Sequence, residues 1–255
     1  MSIEVTRDAR GVATVTLSRP EVHNALDAAT MDALTAFAAA PDARVVVLTG
    51  AGSSFCAGGD LSWMRAQFDA DAAGRRREAR RLAGMLAALD ALDVPLIARV
   101  GGAAFGGGVG LACVADMAVG VHGAKLGLTE TRLGLIPATI GPYVVARMGE
   151  GRARRVFMSS RRFDAAEAVE LGILSRVVDP DALDAAIEAE VAPYLACAPG
   201  AVRDAKRLAR ALGGAAAREV AIEDSIAALM DRWADPETWE GVDAFFARRT
   251  PDWAG

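Results

Sequence analysis

An α/β layered fold closed by an all-helical tail is the architecture this sequence predicts, on three observations. β-Branched runs alternate with Ala- and Leu-rich stretches through the first half of the chain. Two glycine-rich loops each follow one of the apolar runs. Beyond Val178 the strand signal ends and only helical spacing remains.

Strands are expected at Val12–Leu17 (VATVTL) and at 44–49, 95–100 and 115–119. Helices are expected at 27–39, at 65–92 and from about Gly107 onward. Asp27 opens the first well, because its carboxylate can accept from the free amides ahead of an Ala-rich run. Strand, crossover, strand is the order of an α/β fold. Gly74 with Arg75, Arg76 and Arg77 reads as a solvated basic face on a polar helix. Asp179-Pro180 breaks the chain, 181–192 reads as a helix, and 193–200 carries two more breakers. Amphipathic helices follow from about 201, with Ile222, Ile226, Leu229, Met230 and Trp233 at helical spacing. Trp239, Phe245, Phe246 and Trp253 crowd the end of an otherwise aromatic-poor chain, which predicts an interface and hence an oligomer.

Composition narrows the function classes. A chain of 255 residues, 53% hydrophobic and 24% charged, can bury a sizeable single core and is not disordered. Its 28 Lys and Arg against 33 Asp and Glu leave a net charge of -5, which argues against nucleic-acid binding. Apolar stretches are short and broken by Gly, so no membrane-spanning helix is expected, and MSIEVTRDARG lacks the apolar core of a secretory signal. Cys56, Cys113 and Cys197 are odd in number and far apart, and only His23 and His122 accompany them. That pattern excludes a disulfide framework and disfavours a zinc site. A cytoplasmic, metal-free globular protein is the expectation.

The loops 50–60 (GAGSSFCAGGD) and 101–110 (GGAAFGGGVG) carry the chemistry. Neither is a dinucleotide fingerprint, since Leu111 and Phe55 stand where the last Gly would be; there is no GxxxxGK[ST] and no GxSxG. Glycines at such turns bare backbone N–H groups, and two loops together can converge on one developing anion. A helix starting at Gly107 adds its partial positive charge. This is the physics of an oxyanion hole for a thioester enolate, in which one donor is worth ~3 kcal/mol of transition-state stabilisation.

The stretches FCAGGDL (55–61), GGAAFGGGVGLACVAD (101–116) and LGLTETRLGLIPATIGPYVVARMGEGRARR (126–155) resemble the enoyl-CoA hydratase/isomerase (crotonase) family. SRPEVHNAL (18–26) and FDAAEAVELGILSRVV (163–178) continue the likeness in order along the whole chain. The resemblance implies a crotonase-type spiral of ββα repeats over 1–193 that binds an acyl-CoA thioester. It also implies a helical region over 194–255 that builds a homotrimer, or a hexamer as a dimer of trimers. Coenzyme A would be part of the substrate, and no separate cofactor is implied. Gly59 and Gly107 would supply the two oxyanion amides. Val22, His23 and Ala25 match the segment along which coenzyme A lies, and Ala57, Gly58, Asp60, Leu61 and Phe105 would line the same channel. His23 is a contact on a loop, without a proton-transfer role. Asp60 and Asp116 read as structural, and Cys56 and Cys113 as small buried residues.

Family hydratases commonly use two glutamates. Glu130 in LTETRLGL matches the second, and the first falls on Gly110. Hydration needs water at the β carbon and a proton at the α carbon, which two carboxylates usually share. Shifting a double bond needs one carboxylate. Gly110, LIPATIGPYVV and FCAGGDLSWM (Ser62, Trp63, Met64) resemble a hydratase subgroup acting on methylglutaconyl-CoA or carboxygeranoyl-CoA. On this reading a bare position 110 makes room for the substrate's β branch, whose carboxylate helps orient the water. Arg65, Arg99, Arg132 and Arg147 are the candidate cations for that carboxylate. The rival readings are a double-bond isomerase, a thioester decarboxylase and an acyl-CoA-binding member without hydration.

Overall fold

The computed structural model describes residues 2–254. Strands β1 (Ile3–Arg7) and β2 (Val12–Leu17) form an antiparallel hairpin, and α1 (Ala28–Ala39) follows. Asp27 caps α1 as expected, accepting from the Thr30 amide at 2.8 Å. Next come β3 (Val45–Gly50), β4 (Ser54–Cys56), α2 (Leu61–Asp69), α3 (Ala72–Asp90), β5 (Leu96–Val100), β6 (Ala103–Phe105) and α4 (Gly107–Val114). Then follow β7 (Met117–Val121), β8 (Lys125–Gly127), α5 (Gly141–Met148), α6 (Glu150–Phe157), β9 (Arg162–Asp164), α7 (Ala165–Glu170) and β10 (Arg176–Val178). The tail is α8 (Leu183–Leu195), α9 (Pro199–Leu212), α10 (Ala215–Ala234) and α11 (Pro236–Ala247).

Three times, at β3–β4, β5–β6 and β7–β8, consecutive strands go to different sheets. One six-stranded sheet runs β1-β2-β3-β5-β7-β10, and a four-stranded sheet runs β4-β6-β8-β9. Each turn of the chain therefore lays one strand in the large sheet, one in the small sheet, and then helices. That is a spiral of ββα units. β3 (VVVLTG) is buried almost throughout, which explains why its sequence is continuously apolar rather than alternating. The central parallel strands stay in register, with Val46 beside Leu96 and Ile97 beside Met117.

The small sheet positions the site. β4, β6 and β8 are parallel neighbours, with Ser54 beside Ala103 and Phe105 beside Gly127. Their carboxyl ends thus open side by side, about 4.8 Å apart. From them leave Ala57 to Gly59, Gly106 to Gly107, and Leu128 to Glu130. All eight residues of α4 are buried, which requires small side chains: a Cβ at Gly108 would stand 2.2 Å from the Cys56 carbonyl oxygen.

Several expectations need correction. The single helix at 65–92 is two, α2 and α3, because Asp71 caps a new start through the Gly74 amide. Pro193 lies inside α8, so α8 runs through the expected 193/194 boundary. Arg75 does not sit on a solvated face; it is half-buried and stacks over Trp233 and Trp239, 5.2 and 5.0 Å from their ring centres. No helix among the described residues is long and apolar enough to cross a membrane.

Candidate active site

A cavity of about 650 Å³ opens where the three parallel strands of the small sheet end. Ala57, Gly58, Gly59 and Leu61 line it from the first loop, Phe105, Gly106 and Gly107 from the second, and Glu130 from the third. The loop before α1 runs beside the first of these: the Leu26 amide donates to the Gly58 carbonyl at 2.7 Å, and the Asp60 amide returns a bond to Leu26 at 3.0 Å. Asn24 holds this pairing in place. Its buried amide donates to the carbonyls of Ala51 and Ser54, both at 2.8 Å.

Between those bonds the Gly59 amide has no acceptor among the described residues, and neither has the Gly107 amide at the first position of α4. The two glycine loops touch: a Cβ at Gly58 would lie 3.5 Å from the Gly107 nitrogen. Gly106 turns the chain into α4 at φ +47, and a Cβ there would stand 3.1 Å from Glu130 Oε1, so glycine answers both conformation and space.

Glu130 opens a 3-10 turn, Glu130–Leu133. The residue is half-buried, but its Oε2 is buried without a hydrogen-bond partner. Burial pushes its carboxyl up to about 7, which suits proton exchange near neutrality. Cys56 and Cys113 are fully inside, and burial pushes both thiols up to about 12, so they remain protonated.

Five residues expected to touch substrate lie outside the cavity lining. Val22, His23 and Ala25 lie on the neighbouring segment, His23 with its ring Nδ1 3.1 Å from Ser54 Oγ. Asp60 is turned to structure, accepting from the Ser62 and Trp63 amides at the start of α2 and pairing with Arg19 at 2.9 Å. Gly110 requires the firmest correction. It is buried one turn into α4, and a Cβ there would meet Ile140 Cγ2 at 2.8 Å. Ile140 lines the cavity in its place, so the bare position opens no room for a branch.

The sequence reading missed the helical wall of the cavity. Trp63, Met64 and Gln67 on α2, Arg75 and Glu78 on α3, and Leu229 and Trp233 on α10 complete the cavity. Trp63 and Gln67 stand one helical turn apart, a spacing that could have flagged a common face. Nothing in the sequence linked them to Trp233. Of the four arginines proposed for a substrate carboxylate, only Arg132 lines the cavity. Arg99 pairs with Asp184 at 2.8 Å, Arg147 donates to Ala115 O, and Arg65 lies over Phe246.

A family model described as enoyl-CoA hydratase/isomerase matches residues 7–255. Pseudomonas aeruginosa AtuE is 36% identical, each chain covered completely (100%), with a TM-score of 0.81. An enoyl-CoA hydratase structure from Shewanella pealeana is 35% identical over 99% of this chain and 96% of its own, with a TM-score of 0.79. One from Mycobacterium avium is 29% identical over 99% and 98%, with a TM-score of 0.86.

Proposed function

The chain belongs to the enoyl-CoA hydratase/isomerase family and has its crotonase fold, and from that premise we propose that it adds water to an α,β-unsaturated acyl-CoA. The observation that carries this reading is the meeting, in one cavity, of two amides without acceptors and one buried carboxyl that titrates near neutrality. The thioester oxygen accepts from the Gly59 and Gly107 amides, with the start of α4 behind the second. Glu130, ionised, takes a proton from water as the water oxygen bonds to the β carbon. The π electrons move onto the thioester oxygen as an enolate, which the amides stabilise. Protonated Glu130 then returns the proton to the α carbon, so one carboxylate serves both halves of the addition. Val22, His23, Ala25 and Leu61 flank the coenzyme A portion of the substrate.

The acyl group in this proposal is branched and 3-methylglutaconyl-like, supported by the likeness carried by FCAGGDLSWM and LIPATIGPYVV. The enzyme works as a cytoplasmic homotrimer or hexamer, a reading supported by the exposed Met158, Phe245 and Trp253.

Double-bond isomerisation is the second reading, favoured because Ile140 closes the position at which a second acid would stand. The other carboxylate of the cavity, Glu78, has its oxygens taken by Trp63 Nε1 at 2.7 Å and Arg81 Nε at 3.3 Å. Mass spectrometry of products formed in oxygen-18 water decides between the two. We expect 3-methylglutaconyl-CoA to yield a labelled hydroxyl that is lost in Glu130→Gln. A shifted double bond without label from a 3-enoyl-CoA establishes the isomerase. Neither product, with acyl-CoA still bound, removes Glu130 from its role.

A further inference from the structure

Arg75 is the half-buried cation of the cavity wall that no carboxylate of the described residues pairs with. It lies on the second turn of α3 and reaches back to the end of α2, where its Nε donates to Gln67 O at 2.8 Å and its Nη2 to Phe68 O at 3.2 Å. Trp233 and Trp239, whose ring centres are 6.0 Å apart, both face it from one side, at 5.2 and 5.0 Å. No carboxylate pairs with it among the described residues, and Nη1 has no acceptor. A guanidinium immobilised on one edge and bare on the other is a preorganised receptor for a carboxylate.

The other cations of the cavity are disposed differently. Arg161 is tied to Glu167 through two bonds. Arg132 and Arg162 are exposed, and Arg162 lies over the Phe105 ring at 5.2 Å. Glu78, one turn further along α3, does not neutralise Arg75, because Trp63 and Arg81 occupy it.

From these observations, and resting on the acyl-CoA reading above, we propose that Arg75 binds a carboxylate at the far end of the acyl group, so that the preferred substrates are thioesters of dicarboxylic acids.

Saturated thioesters test the subsite without any reaction. Isothermal titration compares glutaryl-CoA with pentanoyl-CoA, and adipyl-CoA with hexanoyl-CoA, each pair matched in carbon number. The wild type is expected to bind the dicarboxylic member about ten- to a hundredfold more tightly, the range of a charge-assisted hydrogen bond. Arg75→Gln brings that ratio close to one, and Arg75→Lys retains part of it. Equal affinities within each wild-type pair overturn the proposal, even if Arg75→Gln fails to fold. So does a ratio that survives in folded Arg75→Gln, or one that is lost in Arg132→Gln instead. Binding of pentanoyl-CoA without a preference leaves the acyl-CoA reading standing; no binding of any thioester brings down both.

Discussion

Glu130 couples function to stability through one proton. Its carboxyl titrates at about 7 in the folded chain against 4.5 for an unburied glutamate, because burial disfavours the charged form. Between those values the native state holds a proton that the unfolded chain releases, so stability falls as pH rises through this window and levels off above it. Glu130→Gln removes that penalty. The variant should be more stable than the wild type at pH 8, by on the order of 3 kcal/mol, and equal to it near pH 4, as urea unfolding at the two pH values would reveal. Activity runs the other way: kcat/KM should rise as pH passes about 7 and the base ionises, and Glu130→Gln should lose roughly 10²–10⁴-fold in kcat. At position 110, adding a carboxylate is not enough to restore a second acid. Gly110→Glu drives its side chain into Ile140 and should lower the melting temperature, with an overpacking cost of about 1–3 kcal/mol or more. Gly110→Glu with Ile140→Ala should recover stability and hydrate crotonyl-CoA faster than the wild type. No gain in the folded double variant would show that the missing acid is not what limits linear substrates.

At the scale of elements, the small sheet and α2 divide the work. Three parallel strand ends deliver Gly59, Gly107 and Glu130 from positions 71 residues apart at the extremes, which only strand pairing brings together. α2 supplies a helical wall, and its start hangs on Asp60, which accepts from two amides and pairs with Arg19. Asp60→Ala should therefore destabilise the protein by about 1–2 kcal/mol, chiefly through the lost cap, since Arg19 keeps Asp27 as a second partner at 3.1 Å. It should raise KM more than it lowers kcat, because Leu61, Met64 and Gln67 line the cavity while the glycine amides belong to the loops. A loss confined to kcat would place Asp60 in the chemistry instead.

Across the whole molecule, the helical tail completes the site that the spiral begins. Phe68 of α2 meets Trp233 and Trp239 edge-on, with ring centres 5.3 and 5.1 Å apart, and Arg75 stacks on the same two indoles. Trp233 is the buried member of this cluster. Trp233→Ala should cost about 3–5 kcal/mol and loosen α2 together with α10, visible as faster amide exchange in both helices. Faster exchange in α10 alone would mean that the cluster does not couple them.

Part of this was legible in the chain itself. Strands β2, β3, β5 and β7, the cap at Asp27 and the start of α4 at Gly107 follow from local patterns, since turns, caps and apolar periodicity are properties of neighbours in sequence, whereas Gly59, Gly107 and Glu130 were singled out by the family resemblance. The short strands β4, β6, β8 and β9 did not show, because runs of three residues carry too little periodicity to register. Arg75 was misread for a related reason: one helical turn of arginines looks solvated until a distant Trp233 and Trp239 cover part of it. Gly110 looked like an opening because sequence reports the side chain that is absent, whereas space belongs to whichever neighbour fills it, here Ile140. The sequence alone thus determined the central strands of the large sheet and which residues are the candidates for reaction. Tertiary packing decided which strand ends meet, which helix walls the cavity and which cation faces it, because those are contacts between segments far apart in the chain.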